Sequence, residues 1–225
     1  MSKQERGANA KKRRRGSLFP IVLAFLMIAA LAFAGGYKTG FERGNAKRRQ
    51  GSSLLLVNES HPLSADYVPE ELVRLYDMRH SFRLAKSDIY LTYDTYLAAQ
   101  DMFAAAESEN MNGYIITSGY RSYDKQAEVY AESQPGYAQK PGCSEHQTGL
   151  CFDVTVETAQ GFENTPQYRW LRANAHKYGF IQRYPADKAD VTGISYEPWH
   201  YRYVGADAAN EMYKNSLTLE EYLGS

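Results

Sequence analysis

The sequence predicts an α+β domain built on a mainly antiparallel sheet and preceded by one transmembrane helix. Three observations predict it. Strand-like and helix-like segments mix without a regular βαβ repeat. The 19 tyrosines tilt the composition toward strands. An uncharged run, Gly16 to Gly36, follows the basic block Lys11-Lys12-Arg13-Arg14-Arg15. The 225 residues suit a short anchor plus one domain of ordinary size, and the hydrophobic (44%) and charged (23%) fractions are those of a globular protein with a full core.

The net charge of zero hides a split. Residues 1–50 carry 12 Lys+Arg against 2 acidic residues, leaving 14 basic and 24 acidic for residues 51–225, so the two parts are about +10 and −10. A basic tail can serve nucleic acid, but this one abuts an apolar run near the roughly 20 residues that span a bilayer, so no nucleic-acid partner is expected. The arginine block places the amino terminus in the cytoplasm and the rest outside, single-pass. Residues 1–16 then form a basic cytoplasmic tail, 17–36 the anchor, 37–53 a flexible juxtamembrane linker and 54–225 the domain. A cleaved signal peptide is the rival, with Ala32-Phe33-Ala34 as its cleavage site, but the run exceeds the usual apolar core of about 7–15 residues. Gly36, Gly40 and Gly44 share the spacing of membrane helix contacts, yet the last two sit among charges and read as linker.

Within the domain, Leu54 to Asn58 reads as a short apolar strand, followed by turn residues through Pro62 and Pro69. From Glu70, the spacing of Leu72, Val73, Leu75 and Tyr76 is helical, and Tyr90 to Glu107 predicts a longer amphipathic helix. Tyr114 to Gly119 is a buried strand, and Tyr123 to Glu132 a helix with Asp124 near its start, which leaves Arg121 on the loop between them. Gly149 to Val156 is a second strand, Tyr168 to Tyr178 a helix closed by Gly179, and Trp199 to Val204 an alternating strand ending at Gly205.

The chemistry concentrates in two segments, Ser144 to Asp153 and Glu197-Pro198-Trp199-His200. Together they offer two imidazoles and a carboxylate as ligands for one metal, with a glutamate to spare. A tetrahedral zinc so held keeps its fourth position for water, which is the arrangement of a hydrolytic site. His146 and Asp153 can share an ion only if the chain turns between them, and Gly149 is the place for the bend. Proline after Glu197 pushes that residue out of the helical region, so the Glu-x-x-His pair belongs at the start of a strand. A histidine alone is more often an ordinary surface or core residue than a ligand, and His61, His80 and His176, without patterned partners, are read that way. Trp199, Tyr201, Tyr203 and Tyr184 are read first as sheet packing.

The segments Ser118 to Tyr123 with Gln126, Pro141 to Asp153, Trp170-Leu171 with Ala175 to Phe180, Arg183-Tyr184-Pro185, Thr192-Gly193, and Glu197 to Gly205 resemble the VanY-type D-alanyl-D-alanine carboxypeptidases, in the family's order. The resemblance runs from about Leu54 to Gly205. It implies the hedgehog/D-Ala-D-Ala peptidase-like fold and a zinc metallocarboxypeptidase of the cell wall with one Zn2+ per chain. His146, Asp153 and His200 match the zinc ligands, Glu197 the catalytic base and Arg121 the arginine that faces substrate. Gln126 and Ser144 match positions lining the pocket for the terminal carboxylate. The expected activity is removal of the terminal D-alanine from peptidoglycan stem peptides, D-Ala-D-Ala ends favoured. The alternatives are an L,D-carboxypeptidase acting on tetrapeptide stems, and a zinc-stabilised module that binds wall peptides without cutting them, against which the presence of Glu197 argues. A monomer tethered to the cell membrane, with its domain outside, would meet such substrates.

Cys143 and Cys151 depart from the family's requirements. Outside the membrane a pair suggests a disulfide, worth roughly 2–3 kcal/mol over so short a loop. Cys143-x-x-His146 also has zinc-ligand spacing. The remaining reading is two free thiols, with Cys151 a small buried apolar residue.

Overall fold

The computed structural model describes residues 53–134, 137–158 and 160–225. The basic tail, the apolar run and the linker lie outside them, apart from Ser53, so the expected transmembrane helix does too. Among the described residues no helix is long and apolar enough to cross a membrane.

The centre is a five-stranded sheet in the order β2-β4-β5-β7-β6, with β2 (Arg83–Leu84), β4 (Tyr114–Ser118), β5 (Cys151–Val156), β6 (Phe180–Tyr184) and β7 (Glu197–Tyr203). Only β2 pairs parallel, with β4; the other three pairings are antiparallel, as the absence of βαβ units implied. The apolar face of this sheet packs on helix α1 (Tyr93–Ser108): Phe152, Val154, Tyr114, Ile116, Phe180 and Tyr201 join Ala99, Met102, Phe103 and Ala106 in one core. A smaller cluster gathers Leu56, Ile181 and Val204 under the carboxy-terminal helices, Ala206–Asn215 and Leu219–Leu223.

The helix Tyr123–Glu132 (α2) starts and stops where the sequence put it, because Ser122 caps it by accepting from Lys125 N at 3.2 Å. Two expectations fail. Leu54 to Asn58 is not a strand of the sheet: Leu56 and Val57 are buried, but the only ladder contact there is an isolated bridge from Asn58 to His61. The stretch after Glu70 is β1 (Leu72–Arg74), paired with β3 (Tyr90–Thr92), followed by one 3-10 turn rather than a helix. A four-residue apolar cluster fits either period, and cross-strand pairing with Tyr90–Thr92 decides it. That pairing also takes the first residues of the helix expected from Tyr90.

Two register shifts prepare the site. Between Ile116 and Ser118 the β4–β5 ladder slips, which brings Ser118 opposite Asp153. Between Gln182 and Tyr184 the β6–β7 ladder slips as well, so that Arg183 and Tyr184 both reach the side of the sheet that carries His200.

Candidate metal centre

Strands β5 and β7 form the floor. Asp153 and His200 are register partners, as are Cys151 and Arg202. Alternate residues of a strand share a face, so these four side chains stand on the side opposite the Phe152–Tyr201 core. His146 arrives from above on a 3-10 turn, Glu145–Thr148, which Ser144 caps by accepting from His146 N at 3.4 Å. Gly149 ends the turn at φ 65° and sends the chain into β5, the bend that the spacing demanded.

His146 Nδ1 lies 2.7 Å from Gly119 O. A carbonyl only accepts, so Nδ1 carries a proton, and Nε2 faces Asp153, whose Oδ2 is 3.4 Å away and attracts a proton there until a cation replaces it. Gly119 can hold this place because β3 and the loop after β4 approach so closely that a side chain there would collide with Tyr90 O. Asp153 Oδ1 is 3.0 Å from His200 Nδ1, and the two imidazoles stand edge to face, centroids 5.0 Å apart. Both histidines are buried, at 6% and 3% exposure.

Burial works against charge here, and the cluster overrides it. Asp153 is held well below the usual carboxylate range by His146 and His200 despite its desolvation. Against the same penalty, the charges of Cys151 and Asp153 push His146 up to about 9, and His200 is raised well above its ordinary value. Two imidazoles whose protons are retained only by neighbouring anions are two lone pairs a cation can claim, so the residues present fit a zinc ion.

Glu197 opens β7, with Oε2 3.7 Å from His200 Nδ1 and its side chain 25% exposed. Burial raises its pKa by more than His200 lowers it, the direction that suits a general base. The backbone N–H of Arg121 donates to His146 O at 3.0 Å, tying that loop to the ligand turn. The Arg121 guanidinium donates to Gln126 Oε1 at 2.8 Å and to Ser118 Oγ at 3.2 Å. Gln126 donates its amide to Gln139 O at 2.6 Å and is thereby held against Arg121. Ser144 Oγ accepts from its own turn, and both residues are buried.

His61 bonds Asn58, His80 bonds Phe82 O and His176 stacks on Tyr213, all outside this cluster. The two cysteines are free and buried, so they form no disulfide. Cys143 takes no part in the cluster, whereas Cys151 does: one ligating atom each from His146, Cys151 and His200 lie within 4.8 Å of one another.

A family model described as VanY, D-alanyl-D-alanine carboxypeptidase, matches residues 88–206, more than half of the chain. The chain belongs to the VanY family. It is 38% identical over 174 residues to the D-alanyl-D-alanine carboxypeptidase of Enterococcus faecium, covering 76% of this chain but only 57% of the length of that relative. Among solved structures, it resembles a zinc-bound mutant of the vancomycin-resistance D,D-pentapeptidase VanY from a VanB-type cassette, with TM-score 0.65, 36% identity and coverage of 76% of this chain and 99% of that one. The LdcB LD-carboxypeptidase gives TM-score 0.66 and 38% identity over 75% of this chain and 84% of that one.

In this VanY-family chain, sequence reasoning overlooked what lies beneath the two imidazoles. Glu145 Oε1 accepts from Arg183 Nε at 2.8 Å and Arg202 Nη1 at 2.7 Å, all three side chains essentially sealed from water. Its other oxygen, Oε2, sits 3.6 Å from His200 Nε2, an ion-pair contact too long for a hydrogen bond, and neither buried atom has a hydrogen-bond partner. Desolvation alone would raise Glu145, but Arg183 and Arg202 keep it ionised, far below its ordinary value. The position of Glu145 next to His146 gave no such signal, because its arginines come from 38 and 57 residues away.

Proposed function

We propose that this chain is a zinc-dependent carboxypeptidase that removes the terminal D-alanine from peptidoglycan stem peptides, with one Zn2+ held by His146, Asp153 and His200. The carrying observation is that Asp153 is reached by His200 at 3.0 Å and by His146 at 3.4 Å, with Glu197 3.7 Å from His200, all from segments that the family's motifs pair. When bound, zinc lowers the pKa of its water toward about 7 and polarises the scissile carbonyl.

The protein's own residues do the rest. Glu197, kept basic by burial, takes the proton of the attacking water and returns it to the leaving amine of D-alanine. Arg121, held by Gln126 and Ser118, presents forked donors suited to a carboxylate or to the developing oxyanion, an effect of about 3–4 kcal/mol for a well-placed donor. Gly119 and Asp153 fix the imidazoles so that little rearrangement is needed in turnover.

The likeness to LdcB favours one second reading, an L,D-carboxypeptidase acting on tetrapeptide stems. Mass spectrometry of defined tetra- and pentapeptide stems incubated with zinc-loaded protein separates the two. D-alanine released from neither would refute the enzyme and leave a binding module. The uncharged run Gly16 to Gly36 behind five basic residues supports anchorage in the cell membrane with the domain outside. Release of the full-length chain from membranes by salt alone would oppose that.

A further inference from the structure

We infer that the metal in this chain takes the Cys151 sulfur as a ligand, so that His146, Cys151 and His200 form a second donor set overlapping the first. The inference deepens the zinc-enzyme reading above and rests on it. Cys151 and Asp153 are two apart on β5 and so share the face that carries the site. The cysteine is a free thiol with 0% exposure, and one ligating atom from each of His146, Cys151 and His200 lies within 4.8 Å of the other two.

Zinc bonds of about 2.0–2.1 Å to nitrogen and about 2.3 Å to sulfur put tetrahedral neighbours about 3.3–3.6 Å apart. Rotation of buried side chains by roughly 1 Å would close the cluster on one ion. A second observation points the same way. His200 Nε2 is buried with no hydrogen-bond partner, and the ionised Glu145 Oε2 that faces it at 3.6 Å lacks one too, so the hydrogen-bonding capacity around this cluster is not filled by the protein alone.

On binding, the thiol proton leaves to solvent and the sulfur donates to the metal. A sulfur donor has two consequences. It fills a position that hydrolysis needs for water, so the sulfur-bound centre is a resting form. It also makes the donor set softer, favouring thiophilic ions such as Cd2+ over Zn2+.

The test is zinc K-edge X-ray absorption on the full chain loaded with one equivalent of zinc, alongside Cys151→Ala and Cys151→Ser. The expected result is a sulfur scatterer at about 2.3 Å in the wild type, lost in both variants, with the Cd2+ to Zn2+ affinity ratio falling at least about tenfold. A wild-type shell of nitrogen and oxygen only, at full zinc occupancy, would overturn this inference and leave the carboxypeptidase intact. Sulfur persisting in the variants would also overturn it, since the donor would then be Cys143. A protein that takes up no zinc would sink both readings.

Discussion

Asp153 and His200 stand directly opposite each other across β5 and β7 and join through Oδ1 and Nδ1 at 3.0 Å. Sheet register thus sets the spacing of two of the three proposed ligands, while the third, His146, is aimed by a backbone carbonyl. A ligand pair carried on paired strands moves only if the ladder moves, which is the rigidity a hydrolytic metal centre needs.

Replacing Asp153 with Asn removes the charge between the two imidazoles while keeping its shape. Loss of a mere outer partner of a ligand typically weakens metal binding 10–100-fold. Asp153→Asn is therefore expected to weaken zinc binding by more than about 100-fold, measured by competition with a chromophoric chelator. Unchanged affinity would place the metal elsewhere.

Glu197→Gln keeps the hydrogen-bonding outline of the side chain but cannot take a proton. The expected result is a fall in kcat of about 10²–10⁴-fold with zinc content unchanged, read by D-alanine release and elemental analysis on the same sample. A variant that keeps wild-type kcat would remove Glu197 from the reaction.

Much of this site was legible because its donors lie in short local patterns. His146 and Asp153 are separated by one glycine bend, and Glu197 and His200 by a proline that forces a strand, so local physical rules located them. The misread stretches were those whose structure depends on a distant partner. Leu72 to Arg74 became a strand because Tyr90 to Thr92 lies beside it, and Leu56 is buried by the carboxy-terminal helices without joining a sheet. Cys151 could have been placed, since it sits two residues before Asp153 on a strand, but the arginines that hold Glu145 could not. Arg183 reaches the site only through a ladder slip that no local pattern announces.

Glu145→Gln tests the layer under the ligands. It leaves Arg202 with backbone carbonyls of Ser53 and Leu55 and Arg183 with Glu220, while removing the carboxylate between them. Breaking one partner out of a buried ion cluster costs about 3–5 kcal/mol. A drop of that size in denaturant unfolding is expected, and a change below about 1 kcal/mol would show that the two arginines need no anion there.

The metal-free protein should respond to pH in the sense opposite to a protein whose histidines are simply buried. His146 is raised from 6.5 to about 9 in the fold, chiefly by Cys151 and Asp153 acting against burial. A raised folded pKa contributes stability that is complete below the unfolded value of about 6.5 and lost as pH climbs through about 9. The His146 contribution in chelator-treated protein is thus expected to fall between those two values, offset in part by Cys151, whose thiol the same imidazoles lower to about 7, and zinc-loaded protein is expected to change less, because the ion replaces the proton. Zinc affinity should rise over the same window, by about tenfold per pH unit for each proton displaced, and activity should fall below about pH 6 as protons win the imidazoles back. Thermal unfolding with and without chelator from pH 6 to 9.5 measures both limbs. Parallel curves for the two forms, or an activity profile flat to pH 4, would mean that imidazole does not hold the metal.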